Sequence, residues 1–360
     1  MLNTRVFNLL IFISLSIILV ACNNNSNLSA NPPAESLVYY NWEDDIPIEV
    51  LDEFTARTGI SVEYQTFESS QEAENNLQNG AYHYDVLAVE TDSISRLVAN
   101  QLVAELNYDN IPNAKFVSNA VHSPTFDQDK VYSVPFDWGS TGLIVLQDNN
   151  LPDLKAWKDL WNTSDWVTIG MRENMPYDNF AMAKKGLGYS INDCDPGVLY
   201  SAFEELKELS PRIKLVDVEA GPAIDLLESG EIDILIGWSD DITEAKDRGL
   251  AVKYILPEEG TFLWGDSYVV SASTDKKKQA EQLINFLLEP EIAAKIMIHS
   301  SYASTNSEVN DFLPSYMIYD TTIFPTREGL INAESYIPLE ASCTRRILEL
   351  WDVYIQGFDS

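Results

Sequence analysis

After residue 36 the chain alternates between short apolar runs and longer segments whose apolar positions recur at helical spacing. The apolar runs predict buried strands, because a strand covered on both faces carries mostly apolar side chains. Strands are predicted in "LVYYNW", "ISVEYQTF", "YDVLAVE", "VYSVPFDW", "TGLIVLQD", "WVTIGM", "DILIGW" and "FLWGDSYVVSAS". Helices are predicted in "PIEVLDEFTARTG", "SISRLVANQ", "LPDLKAWKDLWN", "PGVLYSAFEELKEL", "GPAIDLLESG", "KKKQAEQLINFLLEPEIAAKIMIHS" (broken at Pro290) and "RRILELWDVYIQGF". This alternation indicates an α/β fold built from βαβ units.

Several of the predicted strands end in a tryptophan or an acid. Trp42 precedes three acids in "YYNWEDD", Glu90 ends "LAVE", Trp238 precedes "SDD", and Trp264 lies two residues before Asp266. In open α/β sheets, ligands bind beyond the carboxyl ends of the strands. Because the chain holds 56 acids in 360 residues, an acid near a tryptophan is common, and the signal is the placement at strand ends. These positions therefore predict a binding site.

The first residues are typical of an export signal rather than of a folded domain. An apolar run from Val6 to Val20 follows Arg5 and leads into Leu-Val-Ala-Cys, ending at Cys22. The run is short for a membrane-spanning helix and fits the apolar region of a signal peptide. We expect residues 1–21 to be a signal peptide and Cys22 to be the lipidated residue of a bacterial lipobox, the alternative being an ordinary signal peptide. Residues 22–36, rich in Asn, Ser and Pro, are predicted to be a flexible tether.

Composition and charge restrict the partners of the chain. The formal net charge is −33, which repels nucleic acid and attracts cations. The three histidines are isolated and no zinc spacing is present, so the sequence predicts neither a metal site nor a cofactor. Cys194 and Cys343 form a disulfide in one interpretation and remain buried thiols in the other. No nucleophile, zinc-hydrolase or phosphate-binding motif is present, so we do not expect an enzyme.

A site that combines tryptophan with carboxylates suits alkylammonium groups. An aromatic face attracts a cation within about 6 Å, and a carboxylate makes short charge-assisted hydrogen bonds to N–H⁺. Tryptophan also packs the methylene stem between two amines. A metal ion is suited poorly by such walls, because hard cations require a full shell of oxygen ligands.

Five segments carry a resemblance to a known family. They are "YNWEDDIPIEVLDEFTARTGISVEY", "VYSVPFDWGSTGLIV", "GEIDILIGWSDD", "ILPEEGTFLWGDSYVV" and "AEQLINFLLEPEIAAKI". Together they resemble the solute-binding proteins that deliver spermidine or putrescine to ABC importers, in their lipoprotein form. The resemblance implies a two-lobed α/β periplasmic-binding-protein fold with a ligand cleft between the lobes. Residues 37–140 with 265–310 would form the N-terminal lobe, and residues 141–264 with 311–360 the C-terminal lobe.

The resemblance also implies the site residues and the partners. Trp42, Trp238 and Trp264 match cleft walls, Asp266 matches an acid that binds an amine, and Asp241 matches an acid of putrescine-preferring members. Asp178 matches a glutamate of the family, and its side chain is one methylene shorter. Glu43, Asp45, Glu90 and Asp92 depart from the family by replacing neutral residues. The expected partners are a polyamine, ABC permease subunits and a bacterial membrane holding the lipid anchor, with the chain monomeric and periplasmic or on the cell surface.

Charge balance limits this interpretation. Glu43, Asp45, Glu90, Asp178, Asp241 and Asp266 would bring six negative charges to one cleft, whereas a triamine offers three positive charges. Unpaired buried carboxylates are costly. We therefore expect that Glu43 or Asp45 faces solvent, or that the cleft takes a longer polyamine such as spermine or an additional cation. The alternatives are a binder of betaine, thiamine or a metal ion, a carboxylate-dependent hydrolase, and a structural surface antigen.

Overall fold

The computed structural model describes residues 36–43, 45–80, 82–118, 126–127, 131–148, 150–216 and 220–358. All of them belong to one compact unit, Glu35–Ser360. The predicted signal peptide, Cys22 and nearly all of the tether lie outside the described residues. In the described part of the chain, no helix is long and apolar enough to cross a membrane.

Most of the predicted elements are present. The strands are β1 (Ser36–Trp42), β2 (Ser61–Phe67), β3 (Val86–Glu90), β4 (Ser133–Pro135), β5 (Asp137–Leu146), β6 (Ile169–Arg172), β7 (Ile213–Val216), β8 (Ile234–Gly237), β9 (Val252–Ile255), β10 (Phe262–Trp264), β11 (Asp266–Val270), β12 (Ala303–Ser304) and β13 (Glu334–Ser335). The helices are α1 (Ile48–Thr58), α2 (Ser70–Asn79), α3 (Ile94–Ala99), α4 (Pro176–Gly186), α5 (Pro196–Leu209), α6 (Ala220–Ser229), α7 (Ser239–Asp247), α8 (Lys277–Leu287), α9 (Pro290–Ser300), α10 (Ser315–Ile318) and α11 (Ala341–Gln356).

The strands form two sheets, each covered by helices. The first has the order β2-β1-β3-β11-β4, in which β1 runs parallel to β2 and β3 while β11 runs antiparallel to β3 and β4. The second has the order β13-β10-β5-β8-β6-β7, and β9 and β12 also pair with β5. A mixed architecture of helices and two sheets confirms the predicted α/β fold class.

The chain passes between the sheets at two places that matter for the site. Phe136 separates β4 of the first sheet from β5 of the second, and Gly265 separates β10 of the second sheet from β11 of the first. The predicted single strand "FLWGDSYVVSAS" is therefore wrong, because it divides at Gly265. The prediction of separate strands on either side of residue 140 is also wrong, because β5 continues through this position and Trp138 lies within it.

One predicted helix is largely absent, and several elements had no signal in the apolar pattern. In "LPDLKAWKDLWN" only a short 3-10 turn forms, Trp157–Asn162, because tertiary hydrogen bonds hold the Trp157 main chain and indole to Glu259 and Gly260. Helices α2 and α7 are polar at most positions, and α4 carries buried lysines, so none shows a clean apolar stripe. The short strands β7 and β9 were also not predicted.

Cys194 and Cys343 form a disulfide with a Cα–Cα distance of 5.6 Å, which settles the question that the sequence left open. Cys343 lies in the first turn of α11, and Cys194 precedes α5. The bridge fixes α11 to the core of the second sheet, where Ile347, Trp351 and Tyr354 are buried.

Candidate functional site

Strand direction brings the predicted side chains to one edge of the first sheet. Strands β1 and β3 are parallel neighbours, so Trp42 and Glu90, their last residues, emerge at the same edge. Strand β11 runs the opposite way and begins at Asp266, which lies opposite Glu90 in the register. A strand that starts at an edge and a strand that ends there thus deliver acids to the same place.

This edge opens onto a cavity of about 1070 Å³. Nine of the ten predicted binding residues line it: Trp42, Glu43, Asp45, Glu90, Asp92, Asp178, Trp238, Trp264 and Asp266. The cavity has residues from the edges of both sheets in its wall, including Trp238 after β8 and Asp178 on α4. Its size is sufficient for a small extended organic molecule.

Two of the tryptophans stand edge to face in this wall. The ring centroids of Trp238 and Trp264 are 6.1 Å apart at an interplanar angle of 65°. Trp264 also meets Tyr302 edge to face at 4.7 Å. Its indole lies directly over Gly139, its partner on β5, where a Cβ atom would come within 2.2 Å of the ring. The absence of a side chain at Gly139 therefore sets the position of the Trp264 ring.

Trp42 forms a separate part of the wall. It packs against Phe67 with ring centroids 4.5 Å apart, and its main-chain oxygen accepts a hydrogen bond from the Tyr64 hydroxyl at 2.5 Å. The indole N–H groups of Trp42 and Trp264 are buried and have no hydrogen-bond partner among the described residues.

Asp241 is the predicted residue that is not found among the described residues lining the cavity. Its side chain is 0% exposed and pairs with Arg172 through contacts of 2.6 and 2.7 Å. It also accepts a hydrogen bond of 2.7 Å from the Trp238 main-chain N–H, as a cap at the start of α7. The Arg172 guanidinium in turn lies 4.1 Å from the Trp238 ring centroid. Asp241 thus anchors the Arg172–Trp238 pair from behind.

The neighbouring Asp240 lines the cavity instead. The pKa of the Asp240 carboxyl is raised to about 7, mainly because the group is buried and secondly because of the negative charge of Asp241. Its Oδ1 atom is buried and has no hydrogen-bond partner among the described residues. Asp240 and Asp241 are neighbours in the first turn of α7 and point in different directions from the helix. The sequence "WSDD" alone does not show which of them faces the cavity.

Asp178 is held in place by three donors. The Tyr336 hydroxyl donates at 2.6 Å, while the Trp238 indole and the Thr141 hydroxyl donate at 3.4 Å. Burial raises the pKa of the Asp178 carboxyl, and the hydrogen bonds partly oppose this shift by favouring the charged form. Asp178 also lies in the first turn of α4, where the helix dipole favours negative charge.

Glu90 ends β3, and Asp92 follows in the next turn. Glu90 accepts a hydrogen bond of 2.6 Å from Ser70, and Asp92 lies 3.5 Å from the guanidinium of Arg96. Burial, followed by the charge of Asp92, raises the pKa of the Glu90 carboxyl to about 8. A cation in the cavity would favour the ionised form of Glu90.

Glu43 and Asp45 face different environments. Glu43 is exposed at the cavity mouth, whereas Asp45 is buried, in agreement with the expectation that at least one of them faces solvent. Burial raises the pKa of the Asp45 carboxyl to about 7. Burial, followed by the charges of Asp137 and Asp45, holds the pKa of Asp266 well above its usual range.

Sequence reasoning missed Asp137, Asp240, Tyr302 and Tyr336. Asp137 precedes Trp138 in "VPFDWGS", but an acid beside a tryptophan is too common in this chain to indicate a site. Tyr302 and Tyr336 reach the site from distant segments and have no local signal. The resulting cavity combines indole faces with carboxylates whose pKa values are raised by burial, and this arrangement is completed by a ligand that brings positive charge.

Comparisons with known proteins agree with the predicted two-lobed periplasmic-binding-protein fold and with a solute-binding role. A family model described as "Bacterial extracellular solute-binding protein" matches residues 49–326. The spermidine/putrescine-binding periplasmic protein of Escherichia coli is 29% identical over 303 residues, which cover 83% of this chain and 86% of that protein. The spermidine/putrescine-binding periplasmic protein 1 of Haemophilus influenzae is 28% identical over 324 residues, which cover 88% of this chain and 89% of that protein. The solved structure of a putative spermidine/putrescine ABC transporter from Listeria monocytogenes superimposes with a TM-score of 0.81 at 25% identity, covering 89% of this chain and 98% of that one.

Proposed function

Because the chain belongs to the family of bacterial extracellular solute-binding proteins, we propose that it captures a polyamine outside the cytoplasm and delivers it to an ABC importer. Spermidine and putrescine are the expected ligands, and spermine is a further candidate. The relatives named for spermidine and putrescine support this assignment over the full length of the matched region.

The observation that carries the proposal is the composition of the cavity wall. The indoles of Trp42, Trp238 and Trp264 line the cavity together with the carboxylates of Asp178 and Asp266. Alkyl segments of a polyamine pack on the indoles, while each ammonium group meets a carboxylate and gains cation–π attraction. The carboxylates are desolvated before the ligand arrives, so the ligand replaces a costly state by a paired one.

The other candidates fit this wall less well. A betaine carries its own carboxylate, which the acids of the cavity would repel. The curated relatives are solute-binding transport proteins, which disfavours a carboxylate-dependent hydrolase.

The lobes follow from the same proposal. Residues 37–140 with 265–310 would move against residues 141–264 with 311–360, closing on the ligand by a hinge. The two passages at Phe136 and Gly265 support this division, since strands of the first sheet lie on one side of each passage and strands of the second on the other. On the same grounds we propose the first boundary between the lobes at Phe136, slightly before residue 140.

We further propose that Cys22 carries the lipid anchor, that residues 1–21 are removed, that residues 22–36 tether the folded part to a membrane, and that the chain is monomeric. The sequence "LVAC" supports the anchor. Labelling of cells with an alkyne fatty acid should mark the wild-type chain and leave Cys22→Ser unmarked. Equal labelling of both chains would contradict the anchor, and size-exclusion chromatography with light scattering tests the monomer.

Calorimetric titration of putrescine, spermidine and spermine tests the ligand. We expect one ligand per chain with micromolar or tighter affinity, and Asp178→Asn should weaken binding at least tenfold because one ammonium partner is lost. Glu204→Gln is the matched control, since Glu204 is an exposed acid on α5 outside the cavity wall. If no polyamine binds in the micromolar range, or if both variants weaken binding equally, the proposal is wrong.

A further inference from the structure

Three buried carboxylates converge where the chain passes between the two sheets. Asp137 begins β5 directly after the first passage, and Asp266 begins β11 directly after the second. Asp45 joins them from the segment after β1. The side chains are nearly inaccessible, with Asp45, Asp137 and Asp266 exposed by 6%, 4% and 6%. We refer to these three residues as the passage triad.

The geometry of the passage triad fits a single ion. One carboxylate oxygen from each residue lies within 4.8 Å of the other two. Oxygen ligands around one Ca²⁺ stand at about 2.3–2.6 Å from the ion, so two of them are at most about 5 Å apart. The main-chain N–H of Asp266 donates to Asp137 Oδ1 at 3.0 Å and fixes the orientation of the Asp137 carboxylate.

Polar atoms beside the passage triad point to a ligand independently of the charges. Asp45 Oδ2 is buried without a hydrogen-bond partner among the described residues. Asn41 is 1% exposed and hydrogen-bonds the Asp45 carboxyl. Its amide oxygen is also buried without a hydrogen-bond partner among the described residues. Native structures leave few such atoms unsatisfied, and each calls for an explanation such as a bound ion. A separate cavity of about 10 Å³ beside Asp137 has room for one water molecule to complete a coordination shell.

Charge selects a divalent ion over an ammonium group. When all three carboxylates are ionised they carry three negative charges, so a monovalent ammonium leaves an excess of two and a divalent ion leaves one. All the donors are oxygens, the set preferred by hard cations.

We propose that the passage triad binds one divalent cation, Ca²⁺ in preference to Mg²⁺, next to the polyamine cavity. The larger ion is favoured because three carboxylates held at these separations can adapt to its flexible shell, whereas Mg²⁺ demands near-ideal octahedral geometry at shorter distances. Because Asp137 and Asp266 follow the two passages, the ion links both of them. Asp45 and Asp266 also line the polyamine cavity, so a bound ion and an ammonium group would compete for Asp266.

The test uses Ca²⁺ and Mg²⁺ alone on the purified full chain freed of metal with a chelator. We expect Ca²⁺ to bind with a stoichiometry of one and to raise the thermal midpoint. Asp137→Asn should weaken Ca²⁺ binding at least tenfold, and Asp45→Asn is a second variant in case the first does not fold, with circular dichroism to check folding. Asp178→Asn is the matched control, because it removes an acid of the cavity that is not part of the triad and should leave Ca²⁺ binding intact.

Several outcomes would overturn the metal site. One is an unchanged midpoint at millimolar Ca²⁺ and Mg²⁺, and another is equal Ca²⁺ binding by the wild type, Asp137→Asn and Asp45→Asn, which would indicate adsorption to the acidic surface. A third is a tighter binding of spermine than of spermidine that Asp137→Asn abolishes in the absence of metal, since the triad would then hold an ammonium group. Polyamine titration of the same samples separates these results from a failure of the polyamine proposal itself.

Discussion

The position of the Trp264 indole over Gly139 can be tested by adding a single methyl group. Gly139 does not have a positive φ, so alanine can adopt its backbone conformation. The added Cβ would lie 2.2 Å from Cζ2 and 2.5 Å from Cη2 of Trp264. In Gly139→Ala the ring must therefore move by about 1.3 Å to restore an ordinary carbon–carbon contact of about 3.5 Å.

The displacement should reduce polyamine affinity more than it affects folding. Trp264 would leave its edge-to-face contacts with Trp238 and Tyr302, and the cation–π attraction to the ligand, worth about 0.5–2 kcal/mol, would be lost. This corresponds to binding that is about 2- to 30-fold weaker. Overpacking should lower the free energy of unfolding by about 1–3 kcal/mol.

Calorimetric titration of spermidine together with denaturant unfolding measures both effects. Trp264→Phe is the matched control, because phenylalanine lacks the three indole atoms that meet the added methyl, Cζ2, Cη2 and Cε2. The double variant Gly139→Ala/Trp264→Phe should bind like Trp264→Phe alone, which makes the two substitutions non-additive. The reasoning is refuted if Gly139→Ala binds spermidine as the wild type does, or if the methyl group weakens binding equally in both backgrounds.

Four further predictions concern Asp240, the pair of Arg172 with Asp241, and the disulfide. With its pKa at about 7, Asp240 should contribute about a tenfold rise in polyamine affinity between pH 6 and 8, as measured by titration, and Asp240→Asn should lose this rise. Because that pKa is raised in the folded chain, ionisation of Asp240 should also destabilise the ligand-free protein as the pH rises from about 4 to 7, and Asp240→Asn should flatten this trend in thermal melts. Arg172→Met should lower the free energy of unfolding by about 3–5 kcal/mol, because it leaves Asp241 buried without its partner; a loss below 1 kcal/mol in denaturant unfolding would contradict this. Replacing both Cys194 and Cys343 by serine should cost about 3–5 kcal/mol in the same assay while polyamine affinity stays within threefold, since neither residue lines the cavity.

Local patterns predicted the parts of the fold and site that depend on one segment. Trp42 and Glu90 end apolar strands whose direction alone carries them to the cavity, and Trp238 follows a strand in the same way. The roles of these side chains in binding remain predictions. The predictions that failed depend on the residue at which a helix begins or on contacts between segments far apart in the sequence.

The pair Asp240 and Asp241 illustrates the first kind of failure. Both acids are in the first turn of α7, and only the position of its start decides which one caps the helix and which one enters the cavity. Asp137 illustrates the second. Its importance arises from pairing between β11 and its neighbours, which brings Asp266 next to it across 129 residues of sequence.

The disulfide has a consequence for the order in which the chain is completed. Cys343 belongs to α11, the last helix of the chain, and this helix supplies part of the core around the second sheet. The bridge to Cys194 can close only after translation of nearly the whole chain. Until Cys343 and α11 have been made, a nascent chain therefore lacks both this covalent link and a piece of the core around the second sheet.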